Sequence, residues 1–296
     1  PLVTELVLSQ SSRQVFSDYL SLTKPRIALL VLVTTAASFW VASKGALSLS
    51  LLIATLVGTG LASAAASVFN CVLDREIDAR MERTRQRPLA AGRLGVVPAM
   101  LFGVALTLGS FLILALGVNL LAAGLALFAI FFYSVVYTLW LKRTSPWCTE
   151  IGGMAGAIPP VIGWAAATGQ VEAPALVLFA ILFLWQPPHF WALALTRVEE
   201  YRRAGLPILP VVKGERVTRR RSLLYALALV PTSLVLFYPL GVVGWGYALG
   251  AGLLGVGFLS LSWRSWAQPS AAHDKKLFFY SMIYLALLFL LVFLAL

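Results

Sequence analysis

Between Phe69 and Arg93 the chain reads FNCVLDREIDARMERTRQRPLAAGR, and this stretch contains the residues best suited to chemistry. Asn70, Asp74 and Asp78 recur every four residues at the end of a long apolar run. In a helix that spacing puts all three on one face, with successive side chains ~6 Å apart along the axis. Two carboxylates and an amide oxygen suit a hard divalent cation such as Mg²⁺, which takes oxygen ligands and shares them with substrate phosphates. Arg80, Arg83, Arg85 and Arg87 follow at once. Acid for metal beside base for phosphate reads as a diphosphate site. In a soluble helix the same pattern is an ordinary solvated charged face, so the surroundings decide.

Those surroundings are a membrane. The chain has 296 residues, 60% apolar and 12% charged, with a mean hydropathy of +0.88. Such values exclude a soluble domain of this size. The net charge of +11 lies in short loops between apolar runs, so it records topology and anionic lipid rather than nucleic acid. Cys71 and Cys148 have neither disulfide nor zinc-cluster spacing and read as reduced structural thiols.

Residues 1–24 lack the pattern of a cleavable export signal and read as an N-terminal cytoplasmic segment, with residues 25–296 forming one domain. Pro25 fits the first turn of the first span, Ile27 to Ala42. Further apolar runs of membrane-crossing length centre near Thr59, Thr107, Phe128, Pro159, Phe183, Leu229, Leu253 and Ala286, predicting nine transmembrane helices. The seventh and eighth are split only by YPLGVVGW, Tyr238 to Trp245, a turn signal. With the N-terminus in the cytoplasm, 22 of the 23 basic residues fall on the cytoplasmic side and only Lys44 falls outside. That bias supports nine spans, with the N-terminus in and the C-terminus out.

The acids concentrate in two loops on the same side, after spans two and six. Their spacing hints at two related four-helix halves plus a ninth helix, an arrangement that commonly places a site between the halves. The second cluster, Arg197 to Arg203, is followed by GLPILPVVKG, whose Pro207 and Pro210 make a rigid loop over the cytoplasmic mouth. In span five Gly152 and Gly156 allow close helix approach, or a thin wall for a bulky ligand, and Pro159 and Pro160 free backbone groups that must be satisfied within the bundle. Span six ends in WQPPHFW, Trp185 to Trp191. His189 there reads either as a packed residue bonded to a neighbouring helix or, with the flat rings of Trp185 and Trp191, as a wall or axial ligand for a heme. His273 lies in the basic loop AHDKK and is expected to face water.

Taken together, Asn70, Asp74, Asp78, Met81, Arg83, Thr84 and Arg87, with LTKPRI (Leu22 to Ile27), YTLWLKR (Tyr137 to Arg143) and LPILPVVKG, resemble the heme O synthases, or protoheme IX farnesyltransferases, a branch of the UbiA-type intramembrane prenyltransferases. The resemblance runs from Leu22 to the ninth span. It implies an all-α integral membrane fold, nine helices around a central cavity capped by the two loops. It also implies a reaction joining farnesyl diphosphate to a vinyl group of heme b, with water added and diphosphate released. Asn70, Asp74, Asp78 and Glu200 are then the catalytic and Mg²⁺-binding set. Arg83, Arg87, Lys142, Arg143 and Arg197 are the candidates for diphosphate. His189, Trp185 and Trp191 are the candidates for heme. The family pattern has a lysine and an aspartate where this chain has Glu199 and Glu200, so a lysine contact to diphosphate is lost at position 199, leaving Arg197 or Arg203 to substitute. The implied setting is the cytoplasmic membrane, with the site at its cytoplasmic face, and a heme A synthase or terminal-oxidase assembly factors receiving the product. Rival readings are a prenyltransferase for a quinone precursor, a transporter and a non-catalytic heme carrier. A transporter keeps its charges near the bilayer midplane, whereas the acids here cluster at one face.

Overall fold

A computed structural model describes residues 12–46 and 48–295, and every regular element in that range is helical. In chain order these are α1 (Ser12–Leu22), α2 (Pro25–Ala42), α3 (Leu49–Leu73), α4 (Arg75–Arg80), α5 (Val96–Gly117), and α6 (Leu120–Phe131). The last of these runs on as a π-helix, Phe132–Leu141, and a final turn, Lys142–Thr144. Then come α7 (Cys148–Ala157), α8 (Pro159–Thr168), α9 (Ala173–Leu195), α10 (Val198–Arg203), α11 (Leu209–Val212), α12 (Glu215–Leu234), α13 (Trp245–Ala267) and α14 (Ala271–Phe293).

Local chemistry sets the helix ends. Pro25 opens α2, where its missing N–H is harmless. Asn119 caps α6 by accepting the Ala122 N–H at 2.8 Å and also donates to the Ala165 carbonyl at 2.9 Å, so one side chain both starts a helix and ties it to α8. Gly169 ends α8 at φ +76°, a conformation glycine adopts without a Cβ penalty.

Eight helices among the described residues are long and apolar enough to cross a membrane. The expected seventh span is the 20-residue α12, which begins ERVTRRR and so has a short apolar length. The helices on either side of YPLGVVGW do separate there, α12 ending at Leu234 and α13 starting at Trp245. Two elements replace the single fifth span, because Pro159 and Pro160 begin a new helix after Ile158. The carbonyls at the break are satisfied from α2: Thr35 Oγ1 donates to Pro159 O at 3.3 Å and Ser38 Oγ to Pro160 O at 2.6 Å. This is how non-helical backbone is tolerated inside a bundle. A Cβ on Gly163 would run into the Thr35 carbonyl, so glycine there permits that close approach of α2 and α8.

The interior divides between two halves. One core joins α9, α12, α13 and α14 around Leu178, Ile181, Trp185, Phe258 and Phe289; the other joins α3, α5, α6 and α8 around Ala65, Leu114, Ala122 and Ile162. At the charged end, α1 is anchored by buried Leu22, by Tyr19 edge-on to Phe102 at 5.2 Å, and by Asp18 paired with Arg93 at 3.1 Å. Within the stretch read as an N-terminal segment, residues 12–24 therefore pack on the bundle, and residues 1–11 lie outside the described range.

Candidate functional site

The three residues spaced by four meet as expected, although not on one unbroken helix. α3 ends at Leu73 and α4 begins at Arg75. Helical hydrogen bonding continues across the join, from Asp74 N to Asn70 O at 2.9 Å and from Asp78 N to Asp74 O at 2.7 Å. The i, i+4 face is thereby kept. All three side chains are buried, Asp74 completely. Asn70 Nδ2 donates to Asp74 Oδ2 at 2.8 Å and to Thr138 Oγ1 at 3.2 Å.

Each acid faces a base. Lys142 Nζ lies 2.5 Å from Asp74 Oδ2, and Arg87 Nη1 lies 2.7 Å from Asp78 Oδ2. Lys24, in the LTKPRI run but given no role from sequence, donates to Asn70 Oδ1 at 2.6 Å. Thr84 Oγ1 holds the Asp78 carbonyl at 3.0 Å. Burial weighs against the Arg87 charge, but Asp78 beside it outweighs burial and raises the guanidinium pKa above its usual value. Asp74 Oδ1 is buried and accepts no hydrogen bond. A buried carboxylate oxygen without a partner is costly, and among oxygen donors it fits a hard divalent cation.

Lys142 reaches this cluster because of the π-helix before it. Bonding from i to i+5 brings residues four and five apart onto one face, a winding found mostly at functional sites. Thr138 and Lys142 thus both meet α3, with Thr138 Oγ1 donating in turn to Tyr133 O at 2.8 Å. Tyr133 and Tyr137 stack beside them at 5.4 Å. Arg143 instead donates to the Leu73 carbonyl at 2.5 Å, capping the end of α3.

The second loop docks on the first. Glu200 Oε1 accepts the Arg83 backbone N–H at 3.1 Å, and Oε2 accepts from Arg197 at 3.2 Å. Partial burial would raise the Glu200 pKa, yet these donors together hold it below its ordinary value. Glu199 is bonded by Arg202 and by Arg203 and is lowered by them. Beneath, Ile77, Met81, Leu141, Ala204, Leu206 and Ile208 form an apolar seal between the loops. Glu200 is not gathered with Asp74 and Asp78: among the described residues no three His, Cys, Asp or Glu side chains converge as a metal site. The four expected ligands divide into a buried trio that includes an amide and a glutamate on the covering loop.

Two cavities are lined by neighbours of the trio, Ser67 and Tyr133 in one and Lys24, Cys71 and Arg87 in the other. An apolar one of about 190 Å³ runs between α2, α3, α6, α7, α8 and α9, with Ile27, Ser67, Tyr133, Gly156, Gln186 and Phe190 on its wall. A larger one of about 780 Å³ opens at the charged end and takes in Lys24, Arg83 and Arg87. Ile27 borders both. Here the structure departs from the expected heme wall. α9 turns Gln186 and Phe190 to the apolar cavity, while His189 points to α14, bonding Ser281 Oγ at 2.7 Å between the rings of Trp185 and Phe278. Trp185 donates to Ser281 O, and Trp191 packs edge-on to Tyr225 of α12. These three side chains are occupied in holding helices together. Cys71 and Cys148 are free thiols, both buried.

Residues 31–293 match the model of the UbiA prenyltransferase family. A protoheme IX farnesyltransferase of Gloeobacter violaceus is 50% identical over 96% of this chain and 95% of its own length. One of Thermosynechococcus vestitus is 51% identical over 92% of this chain and 86% of its own. Among solved structures, a digeranylgeranylglyceryl phosphate synthase superposes with a TM-score of 0.80 at 18% identity, covering 95% of this chain and 98% of that one. A UbiA homologue of Archaeoglobus fulgidus bound to GPP and Mg²⁺ gives 0.69 at 17% identity, over 93% and 99%.

Proposed function

The chain belongs to the UbiA prenyltransferase family, and from that membership we propose that it transfers the farnesyl group of farnesyl diphosphate to a vinyl group of heme b, adding water to give heme O and diphosphate. The protoheme IX farnesyltransferases that are about half identical to it along almost their whole lengths support this choice of donor and acceptor. The observation that carries it is the buried Asp74, with one oxygen unpartnered and the other on Lys142, just past the end of α3, whose Ala66 and Ser67 line an apolar cavity.

The chemistry asks for the C1–O bond of an allylic diphosphate to break as C1 bonds the outer vinyl carbon. The cation left on the inner vinyl carbon takes the oxygen of water, which gives up a proton. Mg²⁺, which Asn70, Asp74 and Asp78 would hold beneath the loop that carries Glu200, would neutralise charge on the departing diphosphate. Lys142, Arg87 and Lys24, now held by the trio, are within reach to turn to phosphate oxygens, with Arg83 on the cavity wall. Preorganised cations of this kind stabilise the leaving group as its charge develops. Arg197 orients Glu200, and Arg143 fixes the end of α3. The apolar cavity receives the prenyl tail and, with the seal beneath the loops, keeps water from the cation until the carbon–carbon bond has formed.

In this reading the protein crosses the cytoplasmic membrane nine times, α12 being the seventh pass, with its N-terminus and site on the cytoplasmic side. A heme A synthase or terminal-oxidase assembly factor takes the product. Incubating purified protein with Mg²⁺, farnesyl diphosphate and heme b should yield, by mass spectrometry, heme carrying a farnesyl group and the elements of water. No such product from enzyme shown to bind both substrates would refute the assignment. For topology, single cysteines introduced near Arg85 and Gly214 should be labelled only from the cytoplasm, and one near Gln170 only from outside. The reverse pattern would remove the cytoplasmic site.

A further inference from the structure

Where the acceptor lies is a separate question, and the two cavities differ enough to decide it. Pockets for drug-sized ligands measure about 300–1,000 Å³. The apolar cavity, at about 190 Å³, is below that range and suits a chain, not a porphyrin plate. The open cavity, at about 780 Å³, is within it.

Its lining matches the chemistry of the plate. Leu22, Pro25, Ile27 and Pro88 offer apolar surface for the ring face. The outer part is basic. Arg26 is exposed and has no ion pair among the described residues. Arg93 is held by Asp18 through Nε at 3.1 Å and Nη2 at 3.2 Å, and Nη2 also donates to Gln86 O. Its Nη1 makes no hydrogen bond among the described residues, and Asp18 is already matched by that guanidinium. In heme b both carboxylates leave one edge of the macrocycle and the vinyl groups lie towards the opposite edge.

Resting on the reading of heme b as acceptor, we propose that the cavity between α1 and the 81–93 loop is the acceptor site, with Arg26 and Arg93 binding the heme carboxylates. Carboxylates held at Arg26 and Arg93 leave the vinyl-bearing edge to enter the cavity, and Ile27, which borders both cavities, joins this acceptor space to the space for the prenyl chain. The carboxylate contacts thus select which edge of the porphyrin is presented to the donor. They also assign α1 a function, as one wall of a substrate site.

The test is an absorbance titration of the full chain in detergent with heme b and with its dimethyl ester, whose carboxylates are blocked. Wild-type protein is expected to prefer the free acid, and Arg26→Gln to narrow that preference by roughly tenfold, the scale of one hydrogen bond to a charged group. Arg26→Lys should restore part of it. Ser17→Trp, which puts bulk into the cavity, should lose heme binding, whereas Ser17→Ala should retain it. An unchanged acid-to-ester preference in Arg26→Gln, with normal heme binding by Ser17→Trp, overturns the site. Product formation by the same wild-type preparation separates the two questions: heme bound but never farnesylated overturns the acceptor reading instead, and this proposal with it.

Discussion

Two of the buried acid–base pairs at the charged end of the helices are finished differently. Asp274, at the start of α14, accepts from Arg219 at both oxygens, 3.2 and 2.7 Å, and from Ser265 Oγ at 2.6 Å, while Arg219 also meets Glu215 at 3.0 Å. Every oxygen is matched, and α12, α13 and α14 are clamped together. Asp74 is equally buried, yet its Oδ1 has no partner and its Oδ2 is held by a single lysine and an amide. Full satisfaction marks a structural pair. An unmatched oxygen on a buried carboxylate calls for a further partner such as an ion or a water.

That contrast can be broken by experiment. The largest effect is expected at the open pair and its neighbour Asp78: Asp74→Asn and Asp78→Asn should each lower turnover by at least ~10²-fold, the scale of removing one preorganised charge-stabilising group, with helical content and melting temperature close to wild type. Near-normal activity at saturating Mg²⁺ in either would end the assignment. At the closed pair the balance should invert. Asp274→Ala leaves Arg219 buried and unmatched and should cost about 3–5 kcal/mol of stability, read as a lower unfolding midpoint. Intact stability there would erase the distinction between the pairs.

A smaller effect concerns the contact between the loops. Because the folded Glu200 pKa is depressed, its contribution is complete above the ordinary value of 4.5 and is lost as pH falls through the lower folded value. Thiol labelling of a cysteine placed at Arg85, divided by that of a free thiol at the same pH, should therefore stay flat through neutral and mildly acidic pH and rise only below 4.5. In Glu200→Gln the same ratio should be higher above 4.5 and converge on wild type at lower pH. The smallest effect is expected at His189. His189→Ala should lose the Ser281 bond and about 1 kcal/mol while keeping heme affinity and turnover within about twofold of wild type, well short of the tenfold that 1.4 kcal/mol would produce. A collapsed heme affinity would return His189 to the substrate site.

Much of this was legible from residue order alone. Long apolar runs must be helices in a membrane because each backbone N–H and C=O has to be satisfied within its own segment. The four-residue spacing of Asn70, Asp74 and Asp78 survives as a shared face because the backbone bonds continue through the α3–α4 join. Basic runs next to acids are local features, and local features read directly.

Contacts across the bundle were not legible. Lys24 meets Asn70 over a separation of 46 residues, and Thr138 meets it over 68; LTKPRI and YTLWLKR mark both segments as family motifs, but no spacing in either announces the pairing. The orientation of α9 was decided by packing. Neighbouring residues on a helix point about 100° apart, so a rotation of one position determines whether Trp185 and His189 or Gln186 and Phe190 line the cavity. Ser281 of α14 takes the first pair, leaving the second to the ligand side. Residue types and periods therefore determined that this chain has membrane helices and an acidic helix face followed by a run of bases. Only the tertiary fit decided which side chains complete that face, because helix rotation depends on partners distant in the chain.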